Sequence, residues 1–144
     1  MDLLEKSFII FRLRAFSRNL RKEIAKSFKV YFYDLGIRNT LIQNYNALSQ
    51  RPDLGALWEN FCIIERMKTL HYHRKHVNRY FWRTYDQQEI DYIEESGGVL
   101  AGYEFKWNKK TTVPKSFVET YPNSTFQVIT PDSFEKFVRE ESVG

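Results

Sequence analysis

The chain has 144 residues, 42% of them hydrophobic and 28% charged, with a net charge of +4. That length is enough for one buried core, and the 17% share of Phe, Tyr and Trp can fill it, which excludes a disordered chain. No apolar run nears the ~18 residues of a membrane span, and Cys62, the one cysteine, excludes an internal disulfide framework and a Cys-rich zinc site. With no signal-peptide pattern at the start, a cytoplasmic, reduced location and no membrane partner are expected.

In chain order, Ser7–Phe16 has strand character, with Arg12 and Arg14 on one side and Leu13 and Ala15 on the other. Arg18–Ser27 reads as a short helix. Lys29–Tyr33 (KVYFY) is rich in β-formers, Asp34-Leu35-Gly36 reads as a turn, and Ile37–Ala47 is moderately helical. A clearer helix starts after Pro52. Asp53 is its expected cap, and Leu57, Trp58, Phe61, Ile64 and Glu65 recur at helical spacing to about Leu70. His71–Asn78 is polar and basic. Three strand-like runs follow, Arg79–Tyr85, Glu89–Glu94 and Val99–Trp107, separated by Asp86-Gln87-Gln88 and by Gly97-Gly98. Lys115–Tyr121 reads as a short helix, Thr125–Thr130 as a strand, and Ser133–Glu140 as a last helix capped by Asp132 or Ser133. From Asp53 the order is helix, three strands, helix, strand, helix. This is an α/β pattern with an antiparallel meander, divided into a basic extension (1–50) packed on a core (51–144).

Charge is unevenly distributed. Residues 1–80 carry 15 Lys and Arg against 7 Asp and Glu, whereas residues 81–144 carry 7 against 11. Arg12, Arg14, Arg18, Arg21, Lys22, Lys26 and Lys29 are opposed only by Glu23. Such a stretch can follow a phosphate backbone, which makes nucleic acid the expected partner; a solvated face is the plainer alternative.

The Gly97-Gly98 hairpin is more specific. A two-residue turn pairs Ser96 with Val99, sets Asp91 opposite Glu104, and sets Glu89 opposite Lys106. Alternation predicts Glu89, Asp91, Glu104 and Lys106 on one face. It places Ile90, Tyr92, Tyr103, Phe105 and Trp107 on the other, apolar face. Directly opposed residues have Cβ atoms ~4.5–5.5 Å apart, where like charges are unfavourable alone, and a hard divalent cation between the two carboxylates removes the conflict. The competing reading is a solvated face with a Glu89–Lys106 surface pair of little energetic weight.

Asp91, followed on the next strand by Glu104-Phe105-Lys106, resembles the PD-(D/E)XK signature of restriction-endonuclease-like nucleases, with Ile90 in place of the nominal proline. The helix, three-stranded meander, helix and strand resemble that superfamily's core. The resemblance implies Asp91 and Glu104 as ligands of Mg (or Mn) and Lys106 as the catalytic lysine that orients or activates water. Lys29-Val30-Tyr31-Phe32-Tyr33-Asp34-Leu35-Gly36, Leu57-Trp58-Glu59-Asn60, Tyr80-Phe81-Trp82-Arg83, Glu89-Ile90-Asp91-Tyr92-Ile93 and Glu104-Phe105-Lys106-Trp107 occur in order. Together they resemble the C-terminal domain of unknown function that follows AAA-type ATPase modules in bacteria and archaea. The chain has no GxxxxGK[ST] loop, so an AAA-type ATPase in cis or in trans is the implied partner.

Members of the superfamily often add a carboxylate from the first helix. The Leu-Trp-Glu-Asn match favours Glu59 as a third metal ligand, whereas the helical wheel turns Glu65 inward. His71, His73 and His76 fit no familiar ligand spacing and read as a solvated basic loop. Cys62, Trp82 and Trp107 read as core residues. Two functions are therefore expected. One is a Mg-dependent endonuclease domain cleaving DNA phosphodiesters. The other is a catalytically silent nuclease-fold module that binds DNA or a protein partner for the ATPase.

Overall fold

In the computed structural model, which describes residues 1–19, 21–108 and 111–139, Gly97 and Gly98 take φ values of 57° and 83°. Two successive positive φ values are what a tight two-residue hairpin needs, and glycine reaches them without strain. The turn joins β4 (Glu89–Ser96) to β5 (Val99–Phe105) in the expected register, from Ser96↔Val99 to Tyr92↔Tyr103. With β3 (Asn78–Arg83), these strands form the antiparallel meander.

β6 (Thr125–Ile129) adds to β5 in parallel. On the other side, β1 (Ile10–Ala15) pairs parallel with β3, and β2 (Phe28–Phe32) pairs antiparallel with β1. The described residues thus form a mixed α/β fold around one six-stranded sheet, ordered β2-β1-β3-β4-β5-β6. The N-terminal strands continue the same sheet as the meander.

A short α1 (Asp2–Lys6) precedes β1, and later helices cover both faces of the sheet. On one side lie α3 (Leu54–Tyr72) and α5 (Phe134–Arg139), where Trp58, Ile63 and Phe137 pack with Phe11, Tyr92 and Tyr103. On the other lies α4 (Lys115–Thr120), where Phe117 and Tyr121 pack on Trp82, Ile90, Ile93 and Leu100. Cys62 is a buried, free core residue of the first cluster, as expected. Trp82 is fully buried, and Trp107 stands edge-on to Trp58 with centroids 5.3 Å apart.

One irregularity shapes the site. Tyr80 pairs with Ile93 but Trp82 pairs with Ile90, so three steps along β4 answer two along β3. That extra residue is a β-bulge, which breaks the inward–outward alternation. Ile90 and Ile93 both reach the α4 side, while Tyr92 reaches the α3 side. The expectation that Ile90 shares a face with Tyr92, Tyr103 and Phe105 is corrected accordingly.

Three local expectations also change. Arg18–Ser27 contains no helix among its described residues; it is held in turns by Glu23, which bridges to Thr84. Asp34 opens α2 (Leu35–Leu41) by accepting the Ile37 N–H at 2.9 Å, so the expected turn is a helix start. Asp53 is the N-cap residue of α3, as expected, but its side chain makes no capping bond, because the carboxylate is held by Arg38 at 2.8 Å and by Arg51 at 2.9 Å. The last helix is described to Arg139, and Glu140 lies outside the described residues.

Candidate active site

The β4–β5 ladder stops at Tyr92↔Tyr103, and Asp91 and Glu104 occupy the next position in the same register. There, side chains take the backbone donors. Asp91 Oδ2 accepts the Phe105 N–H at 2.9 Å, and Glu104 Oε2 accepts the Asp91 N–H at 3.3 Å. The approach sides differ. The bulge turns Asp91 towards α3, where it faces Glu59 and Lys29. Glu104 follows Leu100 and Gly102 in strand parity, and a Cβ added at Gly102 would meet Ile90 of the α4 side. The two carboxylates therefore meet at the strand ends, and the expectation from alternation that they share one regular face is corrected by the bulge.

Lys106 binds Glu104, with Nζ 2.7 Å from Oε1. It does not pair with Glu89, whose two oxygens are taken by Lys29 and by Arg83, the latter at 2.7 Å. Burial pulls the Lys106 pKa down, but the Glu104 hydrogen bond and the nearby carboxylates outweigh it, so the ammonium stays charged. A cleft of about 310 Å³ opens beside it, lined by Gly55, Glu59, Asp91 and Lys106 among others.

Glu59 faces this cleft from the first turns of α3, whereas Glu65 pairs with Lys68 at 2.7 Å outside it. Of these two helix carboxylates, Glu59 is the one that lines the cleft. It accepts a short hydrogen bond from the Tyr31 hydroxyl and holds Lys29 Nζ at 3.2 Å. Next to it, Asn60 gives and takes hydrogen bonds with the Phe32 backbone at 2.9 and 3.1 Å, acting as a strand partner for the edge strand β2. These bonds fasten β2 to α3 and bring Lys29 into the site.

Lys29 is the residue that chain-order reading assigns to the wrong role. It belongs to the basic stretch in sequence, but its ammonium contacts Glu59, Glu89 and, at 3.7 Å, Asp91. The signal was in the alternation of KVYFY: Lys29 shares parity with Tyr31, a core residue, so it points inward. Burial lowers the Lys29 pKa and the three carboxylates raise it further, leaving it charged. Asp91 remains undercompensated. Burial, Glu59 and Glu104 push its carboxyl up to about 7, against the pull of Lys29 and the Phe105 N–H.

Among the described residues no three His, Cys, Asp or Glu side chains stand in metal-holding geometry. The donors are nonetheless all carboxylate oxygens, the type a hard divalent cation takes. The ammonium of Lys29 already stands as a cation against Glu59 and Asp91. The residues present fit Mg²⁺ or Mn²⁺ in chemistry, with Lys29 in the way.

The basic stretch is only partly free. Arg12 is bound to Asp2 at 2.5 Å and Glu5 at 3.4 Å and lies over the Phe28 ring. Arg14, Arg18, Arg21, Lys22 and Lys26 are exposed. So are His71, His73 and His76; His71 and His76 line a separate basic cleft of about 470 Å³ with Arg74, Lys75 and Arg79.

Residues 54–141 match the family described as "Domain of unknown function (DUF4143)". The chain belongs to this family. Residues 1–48 match a second model, "Domain of unknown function (DUF8612)", so Lys29 and Tyr31 come to the site from outside the DUF4143 segment. Two uncharacterized mycobacterial proteins, from Mycobacterium bovis and Mycobacterium tuberculosis, are each 30% identical over 118 residues. That region is 81% of this chain and 26% of each relative, so the chain spans about a quarter of their length. No solved structure matches the chain significantly. No helix among the described residues is long and apolar enough to cross a membrane.

Proposed function

We propose that this DUF4143 domain is a divalent-cation-dependent phosphodiesterase acting on nucleic acid, DNA in the first instance, on a restriction-endonuclease-like core. The observation that carries the reading is the junction of Asp91 with Glu104 at the strand ends, with Lys106 on Glu104 and Glu59 across the same cleft. Glu59, Asp91 and Glu104 would hold Mg²⁺ or Mn²⁺. Such an ion supplies positive charge to the phosphoryl oxygens and makes bound water more acidic.

The chain's own residues do the rest. Lys106 stays protonated, so it acts as a donor and a fixed positive charge, not as a base. It positions the attacking water or holds charge that develops on the phosphate. Glu104 fixes Lys106 at 2.7 Å, and the Phe105 N–H fixes Asp91 at 2.9 Å, so neither side chain must reorganise on reaction. The exposed Arg14, Arg18, Arg21, Lys22 and Lys26 provide salt-dependent contacts to phosphates. An AAA-type ATPase, in cis or in trans, completes the proposal; the relatives' additional length leaves room for one.

The presence of Lys29 among the carboxylates favours a second reading, a silent nuclease-fold module that binds DNA or a protein partner and has replaced its metal with a lysine. Calorimetric titration of Mn²⁺ into wild type and Asp91→Asn separates the two. The enzymatic reading expects binding by wild type and its loss in Asp91→Asn. No heat of binding in wild type would favour the silent module.

A further inference from the structure

Lys29 is fixed by two sets of contacts. Its backbone pairs with Leu13 in the β1–β2 ladder, and its side chain lies over the Phe81 ring at 5.4 Å before reaching the carboxylates. Glu59 is 3.2 Å away, Asp91 is 3.7 Å away, and Glu89 makes a shorter contact. A lysine ammonium is a compact point charge with three donors, which suits carboxylate oxygens arriving from three directions. These oxygens come from α3 and from the bulged end of β4, so the ammonium joins two elements that would otherwise repel.

We propose that Lys29 is the resident cation of this site: its ammonium occupies the place between Glu59 and Asp91 that a divalent cation takes, and the ion enters only by displacing it. This rests on the metal-dependent reading above and adds its regulation. β2 is the outer edge of the sheet, and the Lys29 side chain keeps a fifth of its surface in solvent, so rotation about its own bonds withdraws the ammonium. Lys29 therefore sets a threshold for divalent binding. Because β2 lies outside the DUF4143 segment, the N-terminal extension controls the threshold.

The test is the affinity of Mn²⁺, measured by calorimetry on wild type, Lys29→Met and Lys29→Arg. Lys29→Met removes the competing charge and should bind Mn²⁺ at least tenfold more tightly; Lys29→Arg keeps the charge and should gain nothing. Equal or weaker binding by folded Lys29→Met overturns the proposal while leaving the metal reading intact. No binding by either wild type or Lys29→Met counts against the metal reading itself. Should Lys29→Met not fold, wild type provides the second measurement. Acetylation of Lys29 by an amine-reactive acetyl ester, read by mass spectrometry, should rise when Mg²⁺ is added. Unchanged labelling at a Mg²⁺ concentration that shifts the melting temperature overturns the proposal.

Discussion

Asp91 and Glu104 each hold the backbone of the other's strand: Asp91 Oδ2 accepts the Phe105 N–H, and Glu104 Oε2 accepts the Asp91 N–H. A regular ladder would give those donors to carbonyl groups. Here the ladder ends at Tyr92↔Tyr103, beside the bulge in β4, and the freed N–H groups fix two carboxylates at one end of the sheet. Structural irregularity and chemical potential coincide at the same pair of residues.

The first prediction concerns Asp91 in the metal-free protein. Its folded-state pKa, about 7, lies above the ordinary carboxylate value. A raised acid favours its neutral form, so folding binds a proton and stability falls as pH rises from about 4 to 7. Asp91→Asn removes that loss. Without divalent ions its melting temperature should exceed that of wild type by a few degrees at pH 8 and match it near pH 4. A lower melting temperature at pH 8 would show that the carboxylate is well compensated.

Glu23 has the opposite sign. This fully buried carboxylate accepts from Trp82 Nε1 at 2.7 Å, the Tyr121 hydroxyl at 2.7 Å, and the Arg18 and Asn19 N–H groups at 2.9 Å. Burial raises its pKa, but the hydrogen bonds outweigh that and hold it below the usual 4.5. Its stabilisation is present above that value and is lost as pH falls through the lower folded pKa. Glu23→Ala leaves the Trp82, Tyr121 and Asn19 donors unmet, while the Arg18 N–H keeps the Tyr121 hydroxyl at 3.3 Å, and should cost about 3–5 kcal/mol in urea unfolding at pH 7. A cost under about 1 kcal/mol would deny Glu23 its anchoring role.

Nucleic-acid binding should divide the basic residues by their partners. Arg18→Ala, Arg21→Ala and Lys22→Ala together should lower the slope of log K against log[salt] by up to about 0.9 per lost phosphate contact. Arg12→Ala should leave the slope unchanged, because Asp2 and Glu5 already bind Arg12. Anisotropy titrations at several salt concentrations decide this. An unchanged slope in the triple variant moves the phosphate contacts elsewhere, with the His71–Arg79 cleft next in line.

The parts of the fold set by local chemistry were legible in the sequence. Gly97-Gly98 permits the positive φ values of a tight hairpin, so the turn and the register that aligns Asp91 with Glu104 follow from it. The bulge was not legible. It arises from how β3 pairs with β4, and alternation within β4 carries no trace of that pairing. Charge along the chain groups Lys29 with the basic stretch, whereas its parity with Tyr31 turns it inward. Arg18–Ser27 departs from its helical expectation because Glu23 is drawn to Trp82 and Tyr121, distant in sequence.

The most direct measurement of the central claim is cleavage by wild type and Lys106→Ala of linear, supercoiled and branched DNA in Mg²⁺ or Mn²⁺. Lys106 is partly exposed and lines the cleft without being one of the carboxylates that would hold the ion, so its loss should leave the fold and Mn²⁺ binding in place. It removes the fixed charge that the transition state needs, so cleavage should fall at least a hundredfold. The account predicts cutting by wild type that depends on the divalent ion and is lost in Lys106→Ala. No cutting by wild type, or equal cutting by the variant, would contradict it.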